Sequence, residues 1–301
     1  MEIELYYRPP LDWEAMTRFL AARAIPGVEA VDERRYRRSI EVGGRPGAIE
    51  LRHLPGERRL VLAIHPRGLA RDEVVDRARR MFDLDADPAA IGDALAEDPM
   101  LRPLVRARPG LRVPGTWSRY ELAVRAVLGQ QVSVAHATAL AGRLAERFGR
   151  RLPRPTPPGL SRLFPAPPAL AAIDVAAAGM PRARAGAIAA IAARAASAAG
   201  LPPQLEEIPG VGPWTAAYVA MRSGDRDAFP AGDLGLRKAL GDRLDAVAEA
   251  WRPWRAYAAM HIWMGYPCGA GGVGRPSRAG AAEGAPSAAA APPLPSTSSR
   301  L

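Results

Sequence analysis

The sequence predicts an α+β fold, a small antiparallel sheet with helices on one face followed by a mainly helical domain. Three observations carry this. Short runs in the first 86 residues alternate apolar and polar side chains. From about Asp87 the apolar spacing shifts to the helical period. Beyond Pro267 the chain turns to Gly, Ala, Pro and Ser without an aromatic residue. The expected domains are therefore 1–86, 87–267 and a disordered tail over 268–301.

In chain order, Ile3, Leu5 and Tyr7 alternate with Glu2, Glu4 and Tyr6, which predicts a half-buried strand. Asp12 can cap a helix over 13–24, with Met16, Phe19 and Leu20 on one face. Three more alternating runs centre on Ile40/Val42, Ile49/Leu51/His53 and Leu60/Leu62/Ile64, separated by Gly- and Pro-bearing turns at 43–47 and 54–57. A helix over 71–82 closes the first domain.

In the second domain, Ser118 and Glu121 match a capping box before Leu122, Val124, Val127 and Leu128. Gly129-Gln130-Gln131 interrupts that helix, and 132–148 resumes it. Residues 151–160, rich in proline, read as loop. Further helices fit 168–178, 182–199 and 244–264.

Lys and Arg number 41 against 31 Asp and Glu, a net charge of +10. A basic balance of that size favours a polyanion, nucleic acid first. The single cysteine, Cys268, excludes an internal disulfide, a cysteine-ligated iron–sulfur cluster and a cysteine zinc site. The four histidines lack ligand spacing, and no metal is expected. The N-terminus has no signal-peptide pattern, and no run reaches the roughly 18 apolar residues of a membrane span. The expectation is a cytoplasmic, nucleoid-associated monomer that does not bind membranes.

The segment most informative about function is IPGVGPWTAAY, residues 208–218. Gly210 and Gly212 suit positive φ and close approach of another backbone, and Pro213 suits the first position of a helix. Such a turn aims free amides and a helix N-terminus outward, as a DNA phosphate requires. An ordinary helix–helix connection uses the same residues.

This segment resembles the hairpin of the helix-hairpin-helix (HhH-GPD) DNA glycosylase superfamily. Within it the chain resembles the bacterial 3-methyladenine DNA glycosylase II type. LDWEAMTRFLAARA, RARPGLRVPG, ELAVRAVLGQQVSVA, GMPRARAGAI and AWRPWRAYAAMHIW follow that family's order, covering Tyr7 to about Tyr266. The resemblance implies base excision repair of double-stranded DNA: a damaged base is flipped out and its glycosidic bond hydrolysed. It places the hairpin at 205–222 and the catalytic loop at 229–240, with Asp233 as the catalytic carboxylate. It assigns Phe19, Trp214, Tyr218 and Trp263 to a base pocket, and Gly210, Val211, Gly212 and Thr215 to the DNA backbone. It assigns Gln131, where relatives can carry Leu, to the wedge that fills the vacated stack. An aromatic pocket attracts a base made cationic by alkylation. Trp214 stands where strand-cutting relatives carry a Schiff-base lysine, so a monofunctional enzyme without lyase activity is implied. No organic cofactor is implied; relatives can hold a monovalent cation on hairpin carbonyls.

Residues 200–204 are short for the family, leaving little more than 202–207 for the first hairpin helix. Leu234 and Gly235 replace bulkier residues. These departures keep open a second reading, a damaged-DNA binder of the same family with impaired catalysis. Other hairpin modules, such as recombination or nuclease accessories, leave the 229–240 loop unexplained. A basic membrane-surface protein would need a segregated basic/apolar helix, which the chain lacks.

Overall fold

The computed structural model describes residues 2–153, 157–172 and 179–266. The expected tail, and the expected helix beyond Ala172, lie outside the described residues.

The sheet contains β1 (Glu2–Tyr6), β2 (Glu29–Val31), β3 (Arg35–Val42), β4 (Arg45–Leu54) and β5 (Arg59–His65). All neighbours are antiparallel, in the order β1-β5-β4-β3-β2. Strand β2 is one more than alternation predicts. Three residues are too few to show a period, and β2 forms through pairing with β3, Val31 facing Tyr36. One face buries Ile3, Leu5, Ile49, Leu51, Leu60 and Leu62. Packed with it are α1 (Trp13–Ala21), through Met16, Phe19 and Leu20, and α2 (Arg71–Met81), through Val74, Ala78 and Met81. Each large side chain so buried stabilises the fold by about 1.5–3 kcal/mol.

Helix α1 is capped by Asp12, whose Oδ1 accepts from the Ala15 amide at 2.9 Å. It ends three residues before the expected 24. The amides of Arg23 and Ala24 tighten onto Leu20 and Ala21, and Pro26 then prevents continuation. This early exit carries Arg23 off the helix and into the wall of a cleft.

The helices that follow are α3 (Pro88–Leu95), α4 (Leu101–Ala107), α5 (Arg119–Leu128), α6 (Val134–Phe148) and α7 (Pro167–Ala171). After them come α8 (Arg182–Ala196), α9 (Pro213–Arg222), α10 (Leu234–Leu240), α11 (Leu244–Glu249) and α12 (Arg255–Gly265). The single helix expected over 244–264 is thus two. Pro253 has no N–H to donate and splits it within Trp251-Arg252-Pro253-Trp254. No helix among the described residues is long and apolar enough to cross a membrane.

Two cores organise these elements. One joins the sheet, α1 and α2 to α10, α11 and α12. The other is built by α5, α6, α8 and α9, with Ile25 and Val28 from the chain after α1. Tyr218 packs against both.

A buried ionic cluster ties the sheet to α5. Arg38 of β3 donates to Glu121 at 2.6 Å. Arg125 donates to Glu29 of β2 at 2.9 Å and to Glu121 at 3.0 Å. Tyr36 adds a hydroxyl to Glu29 at 2.6 Å. Burial alone would raise the Glu29 pKa, but the charges of Arg125 and Arg38 with the Tyr36 hydrogen bond hold it below the ordinary range. Glu121 therefore is half of a capping box. Its amide donates to Ser118 Oγ at 3.3 Å, while its carboxylate serves the two arginines.

Candidate active site

The first hairpin helix, expected over 202–207, is a single 3-10 turn, Leu205–Glu207. The turn is held from outside. Gly210 has φ +85°, and a Cβ there would sit 2.5 Å from the Ala187 Cβ of α8. The Gln130 amide donates to Thr215 Oγ1 at 3.1 Å and to the Gly210 carbonyl at 3.3 Å. Arg184 donates to the Gln130 carbonyl at 2.6 Å. Gln130 and Arg184 had no assigned role in the sequence, because their work is to span three separate segments.

The hairpin residues divide by role. Gly212 does not adopt the positive φ expected of it: it is the extended N-cap of α9 at φ −88°. A Cβ added there would meet nothing within 4 Å. Val211 and Thr215 are buried and cannot offer a ligand their side chains, and the Val211 amide is already donated to the Ile208 carbonyl at 3.0 Å. In the first turn of α9, Pro213 has no N–H, and the amides of Trp214 and Thr215 lack intrahelical acceptors. Gly212→Val is therefore expected to keep the wild-type melting temperature and to weaken binding to damaged and undamaged duplex alike. Gly210→Val, driven into α8, is expected to destabilise the fold itself. Fluorescence anisotropy on both duplexes with parallel thermal melts checks this, and a loss confined to damaged DNA would remove the phosphate role.

Between the cores lies a cleft of about 930 Å³. Asp233, Trp214, Tyr218 and Trp263 meet on its wall, with Gln131 on its lining. Asp233 caps α10 and is 8% exposed. Its Oδ1 accepts from Gly235 N at 2.8 Å, Leu236 N at 3.1 Å and Trp263 Nε1 at 3.0 Å. Its Oδ2 meets only Trp214 Nε1 among the described residues, at a long 3.4 Å. One oxygen thus accepts three hydrogen bonds and fixes the carboxylate, and the other has no close donor among the described residues. Trp214 and Tyr218 stack at 5.4 Å and 11°. Gln131 is exposed at φ +58°, a left-handed conformation rare for its residue type. Among the described residues no group of three or more His, Cys, Asp or Glu could hold a metal.

The AlkA N-terminal domain family model matches residues 2–118. The DNA-3-methyladenine glycosylase 2 of Escherichia coli (strain K12) is 38% identical over 280 residues, 86% of this chain and 95% of that protein. The chain belongs to the AlkA family of DNA-3-methyladenine glycosylases. A Mycobacterium tuberculosis protein described as a probable bifunctional transcriptional activator/DNA repair enzyme AlkA is 41% identical over 286 residues. Those residues span 87% of this chain and 56% of that relative, so the chain matches about half of it. The fold is shared more widely. The 3-methyladenine DNA-glycosylase of Archaeoglobus fulgidus superposes with TM-score 0.75 at 22% identity, over 86% of this chain and 97% of that one. An 8-oxoguanine glycosylase/lyase from Clostridium acetobutylicum, bound to double-stranded DNA, gives 0.66 at 16%, over 87% and 96%.

Against that family frame, Phe19 stands apart from the other assigned pocket residues. It is 1% exposed, does not line the cleft, and lies behind Arg23 and Arg222, which do. Arg222 is held by the carbonyls of Pro114 and Gly115 and donates to the Tyr218 hydroxyl at 2.7 Å. Burial lowers the pKa of Arg23, and the neighbouring Arg222 charge adds to that. Burial raises the Tyr218 pKa, but Arg222 and Arg23 outweigh it and leave a net lowering. The spacing signal was present in the sequence. Arg23 follows Phe19 by one helical turn, as Arg222 follows Tyr218.

Proposed function

We propose that this protein is a monofunctional DNA N-glycosylase acting on alkylated bases. It flips a damaged base into the cleft, hydrolyses its glycosidic bond and leaves an abasic site. The observation that carries this reading is the divided environment of Asp233, with Oδ1 bound three times and Oδ2 turned to the cleft.

Breaking the glycosidic bond leaves an oxocarbenium-like sugar. Asp233 Oδ2, on a carboxylate that is 8% exposed and held in place through Oδ1, stabilises that cation. The same oxygen can accept a proton from water attacking C1′. Because Oδ1 is already committed, little reorganisation is needed as charge develops. The α9 amides and Gly212 hold a backbone phosphate, and Gln131 enters the duplex where the base has left. The Ile208 and Gly210 carbonyls each accept one hydrogen bond and keep a lone pair, so they fit a weakly held monovalent cation. That ion would add positive charge toward the phosphate, and no step depends on it.

Trp214 cannot form an imine, and Lys238 is exposed and absent from the cleft lining. Methylated duplex DNA is expected to yield free methylpurines and alkali-labile sites, with no strand scission and no borohydride-trapped protein–DNA adduct. Release of bases with a trapped adduct would replace hydrolysis by lyase chemistry. Damage-dependent binding without release would favour the lesion-binding alternative.

A further inference from the structure

The break between α5 and α6 is fixed more tightly than a connecting loop requires. Gln130 is held at three points. Its backbone amide donates to the Val127 carbonyl at 3.2 Å. Its side-chain amide reaches the Gly210 carbonyl at 3.3 Å and Thr215 Oγ1 at 3.1 Å. Its own carbonyl accepts from Arg184 at 2.6 Å. The next residue, Gln131, stands exposed at φ +58° on the cleft lining. Arg184 belongs to α8, and so does Ala187, the residue that leaves no room for a Cβ at Gly210. The two are three residues apart and therefore share a helix face. One face of α8 thus touches both the break and the hairpin.

A left-handed conformation costs an ordinary residue roughly 1–2 kcal/mol and persists only where the surroundings over-determine it. For Gln131 the determinant is the preceding peptide. That peptide is planar, so fixing the direction of the Gln130 carbonyl fixes the direction in which the Gln131 N–Cα bond leaves. The carbonyl lies past the end of α5, at Gly129, and has no helical donor. A guanidinium supplies the donor instead, and a charge-assisted bond is the stronger kind. Without that bond Gln131 is free to relax to the right-handed or extended backbone that its residue type favours, and its side chain then points elsewhere.

We propose that Arg184 is a positioning residue for base extrusion, acting through Gln130 on Gln131; this rests on the reading of Gln131 as the side chain that enters the duplex. The Arg184 guanidinium holds the peptide that aims Gln131, and the Gln130 side chain ties the same residue to the hairpin. The bracket sets the offset between the phosphate held at the hairpin and the point where the stack is entered. A duplex gripped at Gly212 and the α9 amides therefore meets Gln131 in register. Arg184 contacts neither the damaged base nor the sugar in this arrangement. Its contribution belongs to opening of the duplex, and not to affinity for undamaged DNA or to cleavage of the glycosidic bond.

The test uses the full-length chain as wild type, Arg184→Met, Arg184→Lys, Gln131→Ala and Gln131→Asn, with each Arg184 variant also made in the Gln131→Asn background. The substrate is a duplex with one 7-methylguanine beside a 2-aminopurine. The 2-aminopurine fluorescence reads unstacking whether or not the base is cut, and single-turnover release reads the reaction. Thermal melts and anisotropy on undamaged duplex report the fold and the hairpin grip. Arg184→Met keeps the apolar stem and removes the donors. It is expected to melt and to bind undamaged duplex like wild type, while the fluorescence rise shrinks and release slows by roughly ten- to a hundredfold, the scale of one charge-assisted hydrogen bond. Arg184→Lys should recover part of both. Asn takes the left-handed conformation more readily than Gln, so Arg184→Met should cost several-fold less in the Gln131→Asn background. Equal costs in the two backgrounds, or losses of melting temperature and duplex affinity in step with release, would make Arg184 only a fold contact and overturn the proposal. If Arg184→Met does not fold, Arg184→Lys in the two backgrounds decides in the same way. Impairment by Gln131→Ala beside an unimpaired Arg184→Met would overturn this proposal alone. Wild-type fluorescence and release in Gln131→Ala would instead remove the reading of Gln131 on which it rests.

Discussion

Asp233→Asn is expected to fold and bind DNA like wild type while releasing bases about a hundred- to a thousandfold more slowly, a loss of ~3 kcal/mol of transition-state stabilisation. The two functions of this side chain sit on different oxygens, so one substitution can separate them. The amide oxygen of Asn can replace Oδ1 and accept from Gly235, Leu236 and Trp263. Asn caps helices about as well as Asp, so α10 keeps its start. The amide nitrogen then takes the place of Oδ2. It carries no negative charge and no lone pair for water, and it turns N–H toward the N–H of Trp214. Asp233→Ala removes the cap as well and is expected to cost about 1 kcal/mol of stability in addition. Single-turnover release beside thermal melts distinguishes the variants. Unchanged release by Asp233→Asn would place the chemistry on another group.

The same residues show what could be read before the structure. Alternation in β3, β4 and β5, and the caps at Asp12 and Ser118, are local patterns, and the fold built on them appears where they stand. Asp233, Trp214, Tyr218 and Trp263 were found by the order of motifs, and the fold brings them to one wall. What the pattern missed is set by distance in the chain. Strand β2 exists because β3 pairs with it, and Gln130 matters because Gly210 and Thr215 fold back onto it. Phe19 lay on the predicted apolar face of α1 with Arg23 one turn on, but no local pattern says that Arg222 comes to rest on the same ring. No local pattern marks Glu29 and Arg38 as buried, and it is α5 that brings Glu121 and Arg125 against them.

Those last four residues give the largest expected effect on stability. Arg38→Met is expected to cost about 3–5 kcal/mol, because it leaves two buried carboxylates sharing one guanidinium. Arg38, Glu29 and Glu121 are each 5% exposed or less, so water cannot substitute for the missing charge. Arg125, the remaining cation, is at the cleft edge with its side chain 21% exposed. The pH dependence tests the cause. In wild type the Glu29 pKa is held below its ordinary 4.5, so its stabilisation is present above that pH and lost as pH falls through the folded value. In Arg38→Met one carboxylate is free to take up a proton at higher pH, which relieves the repulsion. The gap between variant and wild type should therefore be widest near neutrality and narrow on acidification. Urea unfolding at pH 7 and pH 5 measures both. A loss that is equally large at the two pH values would point to lost packing of the Arg38 stem against its neighbours, and a loss below about 1 kcal/mol would mean that the cluster behaves as an exposed ion pair.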